Sequence, residues 1–311
     1  MSTGIEWEDS GKAIAVRIGG VEIAGYTYLP EDARRESPRP GFETLRSLAG
    51  DALSVFRPHD HTWHKGLAWS LPHLGEDNFW GGPSYRRGKD YQWLPNNGSM
   101  EHQGTLEAGM VEGRFRFSHS LTWWTQSRER VVDELRTFEV SQCPEGDSWA
   151  LAFETSMQNV SGHDIRIGSQ TTEGRENAGY GGLFWRGPRD FTGGRILGPD
   201  GLSGEELRGG RGEWLAFVGQ HDGTCNHSTV MMVDDRRNAQ HPPEWFTRSE
   251  PFACMGPAPF FSEEVPFSSG ATMTNRYSFV AANGESAQDR LAGLAEAGRR
   301  ALQNLKVGSR V

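Results

Sequence analysis

Val131-Val132-Asp133-Glu134-Leu135-Arg136-Thr137-Phe138-Glu139-Val140 decides the fold class. The run does not fit the stripe that an amphipathic helix requires, and its surroundings read as further strands. Arg114 to Thr125, Arg130 to Val140, Ser148 to Val160 and Ile165 to Ser169 are separated by charged or Gly/Asn-containing turns. That short spacing is the pattern of antiparallel sandwiches.

Working outward, Ala13 to Ile18 and Val21 to Tyr26 flank Gly19-Gly20, which is the form of a β-hairpin with a two-residue turn. Glu213 to Gly219, Ser228 to Asp234 and Thr272 to Ala281 add three strands near the end. Two tracts interrupt the pattern. Residues 75–104 hold many turn residues together with Trp80, Tyr85, Tyr91 and Trp93, and read as a binding loop. Residues 172–212 are glycine-rich. One helix is expected at 285–306, opened by a capping box at Ser286-Ala287-Gln288-Asp289, with Leu291, Leu294, Ala295, Leu302 and Leu305 on one face. Gly298 on that face permits close packing. The expectation is a mainly β protein: one antiparallel β-sandwich domain over residues 1–311 with a C-terminal helix packed on it.

With 311 residues the chain can bury a core without a metal or disulfide, and Cys143, Cys225 and Cys254 read as reduced thiols. A net charge of −9 argues against a nucleic-acid partner. The start of the chain shows no secretory signal, and no window approaches the roughly 18 apolar residues of a membrane helix, so the cytoplasm is the expected address and no membrane partner is expected.

The functional signal lies in Phe56-Arg57-Pro58-His59-Asp60-His61-Thr62-Trp63-His64-Lys65-Gly66, where three of the ten histidines fall within six positions among aromatic rings. If the stretch is extended, His59 and His61 share a face, and His64 joins them if the chain turns. Imidazole exchanges protons near neutral pH and is also the commonest metal ligand. His61 and His64 are therefore candidate acid and base, with His59 or His102 assisting. No cofactor is required by the sequence. A divalent metal on the same imidazoles, with His102 or Glu101, is the alternative. Backbone-bonded loop histidines are the plainer one. Glu173 and Arg175 are candidates to orient a substrate, Arg175 through its fork of donors. Trp63, Trp80, Trp93 and Trp185, with Tyr180 and His241, are candidate substrate contacts, since an indole offers a flat apolar face with one donor.

The blocks His59 to Leu67, Asn78-Phe79-Trp80-Gly81, Gly174 to Arg186 and Asp234 to Phe246 resemble the PmoA-like family of unknown function. The resemblance runs from about residue 50 to 284 and implies a sandwich akin to the galactose-mutarotase supersandwich. It also implies a small-molecule carbohydrate as partner, in isomerisation, elimination or hydrolysis. A protein that binds carbohydrate without turning it over is the non-enzyme alternative. Mutarotases pair a His with a late carboxylate. Here the histidines come early, and Glu263 and Glu264 sit in no matching motif.

Overall fold

The computed structural model describes residues 4–305. The chain start read for a leader, Met1-Ser2-Thr3, and the last position of the expected helix, Lys306, lie outside them.

Two eight-stranded antiparallel sheets face each other. The first runs Ile5–Asp9, Ala13–Ile18, Val21–Thr27, Gly41–Leu45, Leu67–Ser70, Gly182–Arg186, Cys254–Pro257, Trp245–Arg248. The second runs Arg195–Leu197, Trp214–Gln220, His227–Asp234, Thr272–Asn283, Ser148–Asn159, Arg130–Gln142, Arg114–Trp124, Ser99–Val111. Between them lies a continuous apolar core. Tyr26 of the first sheet meets Phe138 and Phe117 of the second, and Trp69 stacks on Tyr277. The mainly β, sandwich-like reading holds.

The Gly19-Gly20 hairpin forms as expected, with both glycines at positive φ and Ile18 paired to Val21. In Arg130–Gln142, alternation sends Val132, Glu134, Arg136, Phe138 and Val140 towards the facing sheet. Two of these five are charged, yet both are fully paired. Arg136 Nε donates to Glu134 Oε1 at 2.7 Å, while the Trp123 indole N–H and Thr155 hydroxyl also donate to Glu134, each at 2.7 Å. Hydrogen bonding of this completeness is what permits an ion pair in an apolar interior.

The helix Gln288–Asn304 packs Leu291, Leu294, Ala295 and Leu302 on the outer face of the second sheet, against Ala150, Ala152, Ala216, Val233 and Ala282. The small residues let the helix sit close. It is shorter than 285–306, and the capping box does not form. Ala287 is the N-cap, without a side-chain bond, because Ser286 turns its hydroxyl inward, where it has no partner. Covered on both faces, Ser148–Asn159 is almost wholly buried, which explains its weak apolar–polar alternation.

The interrupting tracts also contain sheet. Ser99–Val111 begins inside the first, and Gly182–Arg186 lies in the second as a fully buried strand.

Candidate active site

Gly182–Arg186 joins the core to the site. Leu183 and Trp185 point between the sheets, whereas Phe184 and Arg186 point to the outer face. Trp245–Arg248 repeats the arrangement, with Trp245 inward and Phe246 and Arg248 outward. Loops roof this outer face and enclose a cavity of about 420 Å³. Its lining includes His61, His64, Trp63, Trp80, Tyr91, Arg175, Tyr180, Phe184, Phe246, Arg248 and Phe252.

The histidine stretch is a turn rather than a strand. The His61 amide bonds back to the Pro58 carbonyl and the His64 amide to the His61 carbonyl. This winding stacks His61 on His64, with ring centroids 4.7 Å apart and planes 19° from parallel. It leaves His59 exposed, outside the cavity lining. The foot of the turn is fastened by buried charge: Lys65 Nζ lies 2.6 Å from Glu36 and 2.9 Å from Asp32, and Arg57 reaches the other Glu36 oxygen at 2.7 Å. Trp63 rests on Gly82, where an added Cβ would come within 2.5 Å of the indole.

Arg186 organises the imidazoles. Its Nη1 donates to His64 Nδ1 at 2.9 Å, and its Nη2 to both Asp60 oxygens at 3.1 and 3.2 Å. A guanidinium only donates, so His64 Nδ1 accepts and the ring proton sits on Nε2. Burial pushes His64 well below the usual histidine range, and the neighbouring His61 imidazole and Arg186 guanidinium lower it further. Burial also lowers His61, opposed by Asp60, whose carboxylate is 3.2 Å from Nδ1. Both rings are therefore neutral at pH 7. Burial tends to raise Asp60, but the bonds and charge of Arg186 outweigh it and hold the carboxyl below its ordinary value. Opposite, Arg175 Nη1 donates to the Tyr91 hydroxyl at 2.5 Å, which lies 2.9 Å from that of Tyr180. Burial raises Tyr180 well above the usual phenol range, so it remains a phenol.

Of the residues expected to converge, His61, His64, Trp63, Trp80, Arg175 and Tyr180 do so. The others lie elsewhere. His102 Nδ1 lies 2.9 Å from His119 Nδ1, and His102 lines a different cavity with Glu101 and Tyr28. Glu173 turns to a separate hollow with His73, Asp77 and Glu264. Trp185 is in the core, its indole bonded to the Leu53 carbonyl. Trp93 is 62% exposed, edge-on to Trp63 and outside the lining. His241 is held by Asp234 at 2.6 Å and does not line the cavity. Glu263 is exposed and Glu264 faces Arg166. Among the described residues no three His, Cys, Asp or Glu side chains converge as a metal site, and the proposed ligands His102 and Glu101 lie apart from His61 and His64. Phe184, Arg186, Phe246, Arg248 and Phe252 also face the site and were not among the residues expected there. The signal for four of them was the alternation Phe184/Arg186 and Phe246/Arg248 beside inward Trp185 and Trp245.

The fold and site define a β-sandwich protein with an aromatic, histidine-bearing cleft on the outer face of one sheet. A profile described as a family of unknown function, DUF6807, matches residues 13–296, and the chain belongs to that family. The PmoA-like label rests on the sequence blocks alone. No curated protein matches the chain in sequence. Similar solved structures include the galactosidase domain of an alpha-galactosidase–sucrose kinase (TM-score 0.44, 10% identity, covering 90% of this chain and 42% of that one). Another is an alpha-galactosidase from Geobacillus stearothermophilus in complex with raffinose (0.41, 10%, 93% and 41%). A third is a candidate aldose 1-epimerase from Klebsiella pneumoniae (0.30, 10%, 64% and 58%). The chain spans less than two thirds of each of these. No described helix is long and apolar enough to cross a membrane.

Proposed function

We propose that the protein is an enzyme that moves protons on a carbohydrate bound in this cleft. The observation that carries the reading is the stacked pair His61 and His64, both neutral, opening on one aromatic-walled cavity. Trp63, Trp80 and Phe252 offer apolar faces suited to the C–H face of a sugar ring. His61, partly exposed and unprotonated, accepts a proton from the substrate, and Asp60 at 3.2 Å stabilises the imidazolium so formed. His64, its proton held on Nε2 by Arg186, donates, as does the phenol of Tyr180. A base, His61, with neutral hydrogen-bond donors in His64 stacked on it and in Tyr180, suits proton abstraction beside a carbonyl, the step common to isomerisation and elimination of keto-sugars.

The test is incubation of the purified chain with monosaccharides, keto-sugars and glycosides, followed by NMR. Turnover that falls roughly 10²–10⁴-fold in His61→Ala supports the reading, that being the usual contribution of a positioned acid or base. Binding without turnover, lost in Trp63→Ala and kept in His61→Ala, would instead make this a carbohydrate-binding protein.

A further inference from the structure

Resting on that carbohydrate reading, we infer that the ligand carries an oxyanion, a carboxylate or a phosphate group on the sugar, gripped by Arg175 and Arg248. The cavity holds two guanidiniums and, among its described lining residues, no Asp or Glu. Elsewhere buried and half-buried arginines have acceptors: Arg114 faces Glu139, Arg136 Glu134 and Arg276 Glu154, and Arg39 is held by the backbone carbonyls of Glu36, Ser37 and Trp63. Within this site Arg186 has Asp60. Arg175 and Arg248 break the pattern. Among the described residues the Arg175 guanidinium bonds to the hydroxyl of Tyr91, and it lies over that ring at 5.0 Å. Arg248 lies over Phe246 at 5.3 Å, and its buried Nε has no hydrogen-bond partner.

The two cations serve one space. Both act electrostatically on the Tyr180 hydroxyl, and Arg248 also acts on His61. Two guanidiniums set against apolar walls, with no carboxylate among the described lining residues, favour a bound anion that supplies the missing charge. The guanidinium fork matches the two-oxygen edge of a carboxylate or phosphate. The chain as a whole carries −9, so this local excess of positive charge is not a general property of its surface. Anchoring the anion at the Arg175/Arg248 side presents the rest of the sugar to His61 and His64.

Calorimetric titration of the full chain with galactose, galacturonate, galactose 6-phosphate, the glucose counterparts and inorganic phosphate tests the inference. One acid is expected to bind at least about tenfold more tightly than its parent sugar, the effect of a charge-assisted bond, and to weaken with added salt. Arg248→Gln and Arg175→Gln should bring the acid-to-neutral ratio near one with thermal melts unchanged, while Arg248→Lys keeps part of the preference. Preference for the uronate identifies a carboxylate; preference for the sugar phosphate over inorganic phosphate identifies the ester. A neutral sugar bound as tightly as either acid, or a preference that survives both Gln variants, overturns the inference and leaves the carbohydrate reading standing. Inorganic phosphate bound as tightly as the sugar phosphate, with no uronate or neutral sugar bound, removes the sugar from both. Silence from every probe overturns both.

Discussion

Arg186 fixes the chemistry of its neighbours through three bonds, one to His64 and two to Asp60. With Arg186→Met, His61 loses a nearby positive charge and gains an unpaired carboxylate, so its pKa rises. A base works only when unprotonated. The acid limb of kcat/KM should therefore move to higher pH than in the wild type, with Arg186→Lys intermediate. A pH profile unchanged in Arg186→Met would remove Asp60 and Arg186 from the setting of His61. At this scale the sequence was half legible. His61 and His64 were visible because they are close in the chain and the turn brings them together. Sequence proximity failed for His59, which the same turn ejects. His102 was legible as a histidine but not as a partner of His119, since that contact is made across neighbouring strands.

Among elements, the turn-bounded hairpin and the long strands from Arg114 to Asn159 were readable because turn residues and length announce them, whereas Ser99–Val111 was missed because it starts inside the irregular tract. Gly182–Arg186 was hidden. It is five residues long, buried on both faces and set in a glycine-rich tract, so neither alternation nor length distinguishes it from a loop. The helix was readable from its apolar stripe, but its start was not, because Ser286 is used as a buried side chain rather than a cap. Gly298 gives a test of close approach. An added Cβ would lie 2.6 Å from Ser278 Oγ and 2.7 Å from Val233 Cγ2. Helix propensity favours Gly298→Ala by about 1 kcal/mol, but overpacking against a β-branched side chain costs about 1–3 kcal/mol. Urea unfolding is expected to show net destabilisation; a stabilised variant would mean that the sheet yields to the helix.

For the whole molecule, two buried features control stability. The Glu134–Arg136 pair sits within the sandwich, and Arg136→Met would strand a buried carboxylate at a cost of about 3–5 kcal/mol. A shift of the urea midpoint well below that would show that Glu134 gains a proton or reaches water instead. The second feature is a set of histidines kept neutral by burial, including His64, His119 and His73, the last lowered to about 4. Each binds protons more readily unfolded than folded. Stability is therefore expected to decline as pH falls below about 6.5, the unfolded value. His73's contribution to the decline ends near pH 4. His73→Gln should flatten the dependence between those limits, and an equally steep loss in that variant would assign it to other groups. The antiparallel sandwich arrangement was legible from the short, turn-separated spacing of the strands. The interior ion pair was not, because charges at core-facing positions imitate a surface.

The stride of Gly182–Arg186 has one more consequence. Leu183 and Trp185 belong to the scaffold, Phe184 and Arg186 to the cleft, and Phe246 and Arg248 extend the cleft on the edge strand. Residues on the cleft side are thus interleaved with residues that hold the sandwich shut, yet separated from them by the thickness of a backbone. Exchanging Phe246 or Arg248 can retune selectivity while the interior stays intact, whereas a one-residue deletion in Gly182–Arg186 would invert both surfaces at once.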